Sequence, residues 1–219
     1  MSTFATPFAE LPAEIPFFPL ERALLLPGGK LPLNIFEPRY LDMVEMALAH
    51  RRLFGMVLPD PALPPGQTGP GLFKVGCLAR IISFAETEDG RMLITLQGVI
   101  RFRIRSELPL ERLYRRALVD YAPYQPDLVQ APDGVIDRAE LLAALRDYFT
   151  ARRLQANWQG IEQTDDATLV TNLSMICPFG AAEQQALLEA PDLASRASML
   201  TTLMRMEAAS DLEPPILPS

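Results

Sequence analysis

The chain has 219 residues, 49% of them hydrophobic and 21% charged, and these proportions exclude intrinsic disorder, a collagen-like repeat and a coiled coil. A globular chain of this length buries roughly 70% of its unfolded surface, so it can fold as one large or two small domains without disulfide or metal staples. Twenty basic residues against 27 acidic ones give a net charge of −7, which excludes a general attraction to nucleic acid or to an anionic membrane.

The two cysteines, Cys77 and Cys177, lie far apart in the sequence. Their separation predicts core thiols and excludes both a C-x-x-C redox motif and a paired-cysteine zinc site. Residues 1–14 lack the basic and apolar regions of a signal peptide, and no stretch approaches about 18 consecutive apolar residues. We therefore expect a cytoplasmic protein with no membrane partner, no metal and no cofactor.

The hydropathy pattern of the first half of the chain predicts mainly short strands. Apolar or alternating runs of strand length occur at residues 15–20, 31–36, 53–58, 73–84, 92–97, 99–105 and 115–121. Glu88-Asp89-Gly90-Arg91 contains a strong two-residue hairpin signal. One helix interrupts the strands, because Pro38 suits a first helical position and apolar residues then recur at helical spacing up to His50.

The pattern of the second half predicts helices. Asp137 with Glu140 forms a capping box, Asp165 or Asp166 begins a second helix, and Asp192 caps the last one. A third helix begins at Gly180-Ala181-Ala182-Glu183. The predicted fold class is α+β: a mostly antiparallel β subdomain over residues 1–122, a proline-rich linker over 123–135, a helical subdomain over 136–209 and a tail over 210–219.

Four blocks of the first half, in the same order and spacing, resemble the N-terminal substrate-binding domain of the ATP-dependent Lon protease family. The blocks are Ile15 to Leu20 with Leu26-Pro27-Gly28 and Leu31 to Tyr40, then Val75 to Ile81, Glu88 to Arg91, and Gly98 to Ile104. Gln184 to Leu188 and Asp192 to Leu203 are similar to the helices that close the same domain, so the resemblance covers nearly the whole chain.

The resemblance implies a PUA-like pseudo-barrel with one inserted helix, a helical subdomain and a role in recognising polypeptides for degradation. It differs from the full protease, because Gly28-Gly29-Lys30 is followed by Leu31 and lacks the first glycine of a phosphate-binding loop. The sequence also contains no G-x-S-x-G elbow. We expect a stand-alone, non-enzymatic binding domain without ATPase or peptidase modules.

Chemistry-bearing residues have simpler structural explanations. His50, the single histidine, lies at a predicted helix end, and Asp165-Asp166 is explained as a helix N-cap. We expect Glu37 to meet Arg101 or Arg39 in a partly buried ion pair, because a desolvated carboxylate at a strand-to-helix junction needs a partner. The alternative is that Arg101 reads a ligand carboxylate.

Arginines at 101, 103 and 105 share one face of the predicted strand, so Arg103 and Arg105 are candidates for a polar binding surface. PUA-like folds elsewhere bind RNA, which makes an RNA-binding module the alternative function. The acidic net charge argues against nucleic acid as a partner, and a solvated strand face, with arginine stems covering apolar neighbours, is the favoured explanation of the arginines.

The expected partners are unfolded or degron-bearing polypeptides, bound weakly by exposed apolar residues of the N-terminal strands and of the loop at 59–71, together with a protease complex as a further hypothesis. The N-terminal aromatics Phe4 and Phe8 belong to this expected surface. The candidate contact residues are Phe17, Phe18, Leu63 and Pro64, although for Phe17 and Phe18 a role as core and staple residues is the favoured explanation. The resemblance assigns structural roles to Pro19, Pro27, Phe36, Glu37, Arg39, Tyr40, Gly76, Gly90, Gly98, Arg101 and Phe102.

Overall fold

The protein is described here by a computed structural model that covers residues 7–66, 68–129 and 134–210. Phe4 and the tail from residue 211 onwards lie outside the described residues. The described chain divides into two compact units. The first unit contains residues 7–129 together with Pro178–Leu188, and the second contains residues 134–177 and 189–210. The sequence-based division assigned Pro178–Leu188 to the helical subdomain instead.

The first unit is built from six strands and one helix between them. In chain order they are β1 (Glu14–Pro19), β2 (Lys30–Ile35), α1 (Pro38–Ala49), β3 (Leu53–Val57), β4 (Val75–Glu86), β5 (Met92–Glu107) and β6 (Arg115–Asp120). The separate runs predicted at 92–97 and 99–105 form the single strand β5. The hairpin prediction is confirmed, because Gly90 adopts the left-handed conformation with φ of +79° in the turn between β4 and β5.

Five of these strands close into a ring. β1 pairs in parallel with β3, and antiparallel pairs then connect β3 to β4, β4 to β5, β5 to β6 and β6 back to β1. β2 extends the sheet by pairing with the first part of β5. The mostly antiparallel α+β fold predicted from the sequence is confirmed.

Phe102 fills the interior of the ring. Its ring is fully buried and packs where Gly55 and Gly76 leave room, since a Cβ atom on either glycine would lie 2.7 Å from Phe102 Cζ. Close packing of this kind leaves no space for a larger side chain. Gly76 and Phe102, two of the motif residues, therefore form one packing unit.

Gly98 lies where β5 passes the turn that precedes β2. Its N–H donates to Gly29 O and its carbonyl accepts from Gly28 N–H, both at 2.9 Å. A Cβ atom at residue 98 would lie 2.0 Å from the carbonyl oxygen of Leu26 and 3.2 Å from Pro27 Cα. The motif residues Pro27 and Gly98 thus meet backbone to backbone, which only glycine at position 98 allows.

A buried ion pair attaches the segment after β6 to the ring. Arg101 on β5 is 4% exposed, and its Nη2 donates to Asp127 Oδ1 at 2.7 Å while its Nε donates to Asp127 Oδ2 at 2.9 Å. Asp127 belongs to the 3₁₀ helix Ala122–Leu128, whose Tyr124 is buried beneath the Arg101 guanidinium. Much of the segment predicted as a linker is therefore packed structure, although residues 130–133 lie outside the described part of the chain.

The second unit is helical. Its helices are α2 (Arg138–Ala151), α3 (Trp158–Gln163), α4 (Asp166–Ile176) and α6 (Leu193–Ser210), while most of α5 (Ala181–Glu189) belongs to the first unit. The three predicted caps are confirmed: the side chains of Asp137, Asp165 and Asp192 accept hydrogen bonds from backbone N–H groups three residues further on. α3 was not predicted from the sequence.

Candidate functional site

The first unit contains a cleft of about 660 Å³. Four segments line it: the end of β1 and the residues after it, the β2–α1 junction, the proline-rich loop between β3 and β4, and the loop between β5 and β6. The lining residues are Phe18, Pro19, Leu20, Glu21, Glu37, Arg39, Tyr40, Pro59, Thr68, Gly69, Pro70, Leu110, Leu113, Tyr114 and Arg115.

Two leucines on the β5–β6 loop give the cleft an exposed apolar edge. Leu110 is 55% exposed and Leu113 is 65% exposed, and Pro59 and Pro70 of the proline-rich loop add apolar surface to the lining. Apolar surface exposed to water is unfavourable, so covering these two leucine side chains with a bound apolar group would lower the free energy. An exposed apolar surface inside a concavity is typical of a binding site.

Aromatic residues form the wall below these leucines. The rings of Phe18 and Tyr40 pack with centroids 4.0 Å apart, and both residues are buried. Burial raises the pKa of Tyr40, although the nearby Arg39 lowers it, and burial also raises the pKa of Tyr114. Both phenols are therefore neutral at pH 7. Neither hydroxyl is hydrogen-bonded within the described part of the chain, so each is available to a bound group such as a peptide carbonyl.

A surface ion pair borders the cleft at the start of α1. Arg39 Nη2 and Nε donate to Glu37 Oε2 at 2.7 and 3.0 Å, and the Arg39 guanidinium lies 4.6 Å from the centre of the Tyr40 ring. The prediction that Glu37 meets Arg39 is confirmed. Both side chains of the pair are nearly half exposed, and Arg101, the other expected partner of Glu37, pairs with Asp127 instead.

Arg115 on β6 fixes the proline-rich loop to the ring. Its Nη1 donates to Pro70 O at 2.9 Å, while Nη2 donates to Glu107 Oε1 at 2.7 Å. Its guanidinium also lies 5.2 Å from the centre of the Phe17 ring. Thr68, Gly69, Pro70 and Arg115 line both the cleft and a smaller cavity of about 320 Å³. The loop is thus held in place by a charged side chain with defined partners.

The amino-acid sequence matches the family model of the ATP-dependent protease La (LON) substrate-binding domain over residues 14–206. The chain belongs to this family. Curated Lon proteases are similar to it: that of Parabacteroides distasonis is 25% identical over 201 residues, or 88% of this chain and 24% of the relative. Lon protease 2 of Sorangium cellulosum is 31% identical over 110 residues, or 50% of this chain and 14% of the relative. The chain spans about a quarter or less of these relatives.

Solved structures share the LON substrate-binding fold. The Lon N-terminal domain protein from Xanthomonas campestris superposes with a TM-score of 0.59 at 24% identity, covering 86% of this chain and 97% of that one. The N-terminal domain of the Mycobacterium avium complex Lon protease gives a TM-score of 0.61 at 16% identity, covering 87% and 97%. At these identities the comparison establishes the fold.

Four of the LON motif residues lie at the cleft, and a fifth, Phe36, is exposed. Pro19, Glu37, Arg39 and Tyr40 line the cleft directly. Phe36, by contrast, follows the last residue of β2 and is 64% exposed, so the structural role that the resemblance assigns to it stays a prediction.

The predicted polypeptide contacts divide into buried and exposed residues. Phe17 is fully buried and Phe18 is 5% exposed, so neither is the exposed contact expected from the sequence. Successive residues of β1 point to opposite faces of the strand, and Phe18 packs against Tyr40 of α1. Phe18 nevertheless forms part of the cleft wall. Leu63 and Pro64 are exposed as expected and line the smaller cavity.

The arginine row does not form one basic surface. Arg101 is buried on Asp127, and Arg105 pairs with Asp120 at 2.5 Å. Arg103 lies on β5 between these two arginines, two residues from each, and is exposed. Ile100, Phe102 and Ile104 are buried, as the predicted alternation requires, but the 3₁₀ helix after β6 packs on Arg101, so the exposed arginines of this strand are Arg103 and Arg105. Their role as a polar binding surface stays a prediction.

Other chemistry is not assembled in the described residues. His50 ends α1, as expected, and its backbone N–H donates to Ala47 O. Within residues 7–66, 68–129 and 134–210, no three His, Cys, Asp or Glu side chains are grouped so as to hold a metal ion. In the same residues, no helix combines the length and apolar character needed to cross a bilayer.

Sequence reasoning missed Leu110, Leu113 and Tyr114. They lie between two strands, where apolar residues follow no period, and only the folded loop shows that two are exposed and one is buried. The one available signal was the presence of two leucines in a segment otherwise rich in charge and proline.

Proposed function

We propose that this chain is a polypeptide-recognition domain that binds extended, apolar segments of unfolded proteins in the cleft between α1, the proline-rich loop and the β5–β6 loop. The observation that carries the proposal is the pair of exposed leucines, Leu110 and Leu113, above the unengaged hydroxyls of Tyr40 and Tyr114. The leucines can contact apolar side chains of a bound polypeptide, and the phenols can form hydrogen bonds with its peptide groups. An extended chain presents peptide groups whatever its sequence.

The site favours polypeptide over nucleic acid. Its charges nearly balance, because Glu21 and Glu37 accompany Arg39 and Arg115 in the lining. Phosphate recognition needs a concentration of positive charge, and the arginine row that suggested it is interrupted by ion pairs. A protease as partner and a cytoplasmic location stay predictions from the sequence.

We also propose that the chain contributes binding without catalysis. The family match is to the substrate-binding domain, and Gly28-Gly29-Lys30 leads into strand β2. A phosphate-binding loop leads instead into a helix N-terminus, where backbone N–H groups hold the phosphates. The purified protein should neither hydrolyse ATP nor cleave casein, and turnover that survives stringent purification would contradict this part of the proposal.

The binding proposal is tested by titrating the protein with a fluorescently labelled, reduced and unfolded polypeptide rich in leucine and aromatic residues. We expect a Kd of about tens of micromolar, or about −6 kcal/mol, for a single site without avidity. Replacing both Leu110 and Leu113 with serine should weaken binding about tenfold, because each loses apolar contact area. Raising the salt concentration should change the Kd little, since the contacts are mainly apolar.

The control is Ile176→Ser, which removes a still more exposed apolar side chain, 76% exposed, from α4 and outside the cleft lining. It should bind as the unmodified protein does. Equal losses in the cleft variant and in the control would show that binding is unspecific. Binding of a structured RNA with a steep salt dependence, without binding of the polypeptide, would replace this function by the RNA alternative.

A further inference from the structure

Part of strand β4 has an open edge. β3 pairs with β4 only as far as Leu53 opposite Arg80, and one further backbone hydrogen bond joins Ile81 N–H to Arg52 O at 2.9 Å. Beyond that point β4 continues to Glu86, paired on its other side with β5. Among the described residues no strand pairs with the second edge of residues 82–86.

This edge is apolar and exposed. All five residues from 82 to 86 are exposed, and Ile82 and Phe84 among them are 39% and 47% exposed. The segment contains no proline and no lysine, the residues that usually protect a sheet edge from pairing with another chain. A register shift between β4 and β5 lies at Ile81 to Ser83, so the regular part of the open edge is residues 83–86. This regular part is free to pair with a further strand.

The hairpin fixes which backbone groups are available. Thr87 N–H donates to Arg91 O at 2.9 Å next to the turn. In an antiparallel pair the hydrogen-bonded positions alternate, so Ala85 and Ser83 direct their N–H and carbonyl groups towards β5. The groups of Phe84 and Glu86 therefore point away from β5, towards the open edge.

The two ends of the edge carry opposite charge. Arg51 and Arg52 are exposed where β3 begins, and Arg80 Nη1 donates to Arg51 O at 3.4 Å. Burial, and then the neighbouring positive charge of Arg52, lower the pKa of Arg80, which places these cations close together. At the other end, Glu86 and Glu88 are exposed and form no ion pair within the described part of the chain.

We infer that two copies of this chain associate through antiparallel pairing of β4 residues 82–86, with Phe84 opposite Phe84 of the second copy on the two-fold axis. In this register Ser83 of each copy lies opposite Ala85 of the other, while Ile82 lies in the irregular part of β4 at the rim of the contact. The outward N–H and carbonyl groups of Phe84 form a reciprocal hydrogen-bonded pair across the axis, and the two phenyl rings lie side by side on one face.

The charges favour a second copy over an unrelated strand. A two-fold axis at Phe84 brings the acidic end of each edge to the basic end of the other, so Glu86 and Glu88 approach the Arg51 and Arg52 side of the second copy. Self-complementarity of this kind is the requirement of an isologous interface. A client segment of arbitrary sequence would match neither end.

The register also fits the space available. Shifting the second copy towards Arg80 would place its Glu86 against Leu53, where β3 already occupies the edge. Pairing centred on Phe84 uses the open residues alone. The contact is small, so we expect a dimer Kd of about 10–100 µM.

The test is the molar mass by sedimentation equilibrium from about 1 to 500 µM protein, a range that brackets the expected Kd. The unmodified protein should change from monomer to dimer across it. Phe84→Glu places two like charges opposite each other on the axis and should raise the Kd at least about tenfold. The matched control is Leu93→Glu, which alters a side chain of equal exposure, 48%, on the opposite face of the same hairpin. It should still dimerise.

A charge exchange tests the orientation. Glu88→Arg and Arg52→Glu should each weaken the dimer alone, whereas an equimolar mixture of the two variants should form a heterodimer of unmodified strength, because both charged contacts are then complementary. A monomer at all concentrations, or a dimer insensitive to Phe84→Glu, would overturn the inference. So would a monomer that binds unfolded polypeptide only when Phe84 is intact, since the edge would then serve clients. Polypeptide binding in the cleft is independent of this outcome, because Phe84 does not line it.

Discussion

Removing the Arg101 side chain should weaken the first unit more than any surface substitution. Arg101 donates to Asp127 through Nε and Nη2, and its Nη1 donates to Leu188 O at 3.0 Å. Arg101→Ala leaves the Asp127 carboxylate, whose side chain is 8% exposed, without its counter-ion. Breaking a buried ion pair by removing one partner costs about 3–5 kcal/mol, a large share of the roughly 5–15 kcal/mol by which domains are stable.

The assay is urea unfolding followed by far-UV circular dichroism. With a slope of about 2–3 kcal/mol per molar urea, the expected loss lowers the midpoint by about 1–2 M. Arg103→Ala, on the same strand but exposed, should shift the midpoint by no more than about 0.2 M because surface substitutions cost about 0.5 kcal/mol or less.

A double variant identifies the cause of the loss. Arg101→Leu with Asp127→Leu removes both charges, so it should regain about 1–3 kcal/mol relative to Arg101→Leu alone. The gain is not complete, because the Leu188 carbonyl still lacks its donor and the backbone N–H of residue 101 loses its acceptor, Asp127 Oδ2. Equal, small midpoint shifts for Arg101→Ala and Arg103→Ala would refute the reasoning. So would a double variant no more stable than the single one, because the unpaired carboxylate would then not be the source of the cost.

Two further predictions concern titrating groups. Burial raises the pKa of the Cys177 thiol to about 11, so neither it nor the buried Cys77 should react with an aromatic disulfide reagent at pH 8 until urea unfolds the chain, when two thiols should be released; a fast-reacting native thiol would contradict this. Hydrogen bonds from Thr168 lower the pKa of Asp165, so its capping contribution is present above the unfolded pKa of about 4 and is lost as the pH falls through the lower folded value. Asp165→Ala should therefore cost about 1 kcal/mol at pH 7 and progressively less below pH 4, as read from urea midpoints, and a cost independent of pH would count against the cap as a carboxylate.

The strands and most helices were predictable because local signals specify them. The Asp89-Gly90 turn, the proline at the start of α1 and the capping aspartates each act within a few residues. α3 escaped prediction because its six residues bury no side chain and so show no apolar period.

Pairings between distant segments were not predictable. Asp127 lies 26 residues from Arg101, in a segment whose prolines indicated a linker, and nothing local distinguishes it from a solvated aspartate. The cleft presents the same difficulty. Tyr40 and Arg39 belong to a recognised motif, but Leu110 and Leu113 come to the same cleft only through closure of the ring by β6.

The return of residues 178–188 to the first unit affects the order in which the molecule can be completed during synthesis. Gln185 Nε2 donates to Val75 O, and the Leu188 carbonyl accepts from Arg101, so the ring lacks these contacts until the chain has been made well past residue 177. A ribosome-bound chain ending near residue 130 would hold all six strands with the Arg101 Nη1 hydrogen bond still unmade. A chain truncated after residue 130 would therefore lack part of the first unit. Limited proteolysis in the 131–177 segment should leave a nicked molecule whose α5 stays bound to the ring.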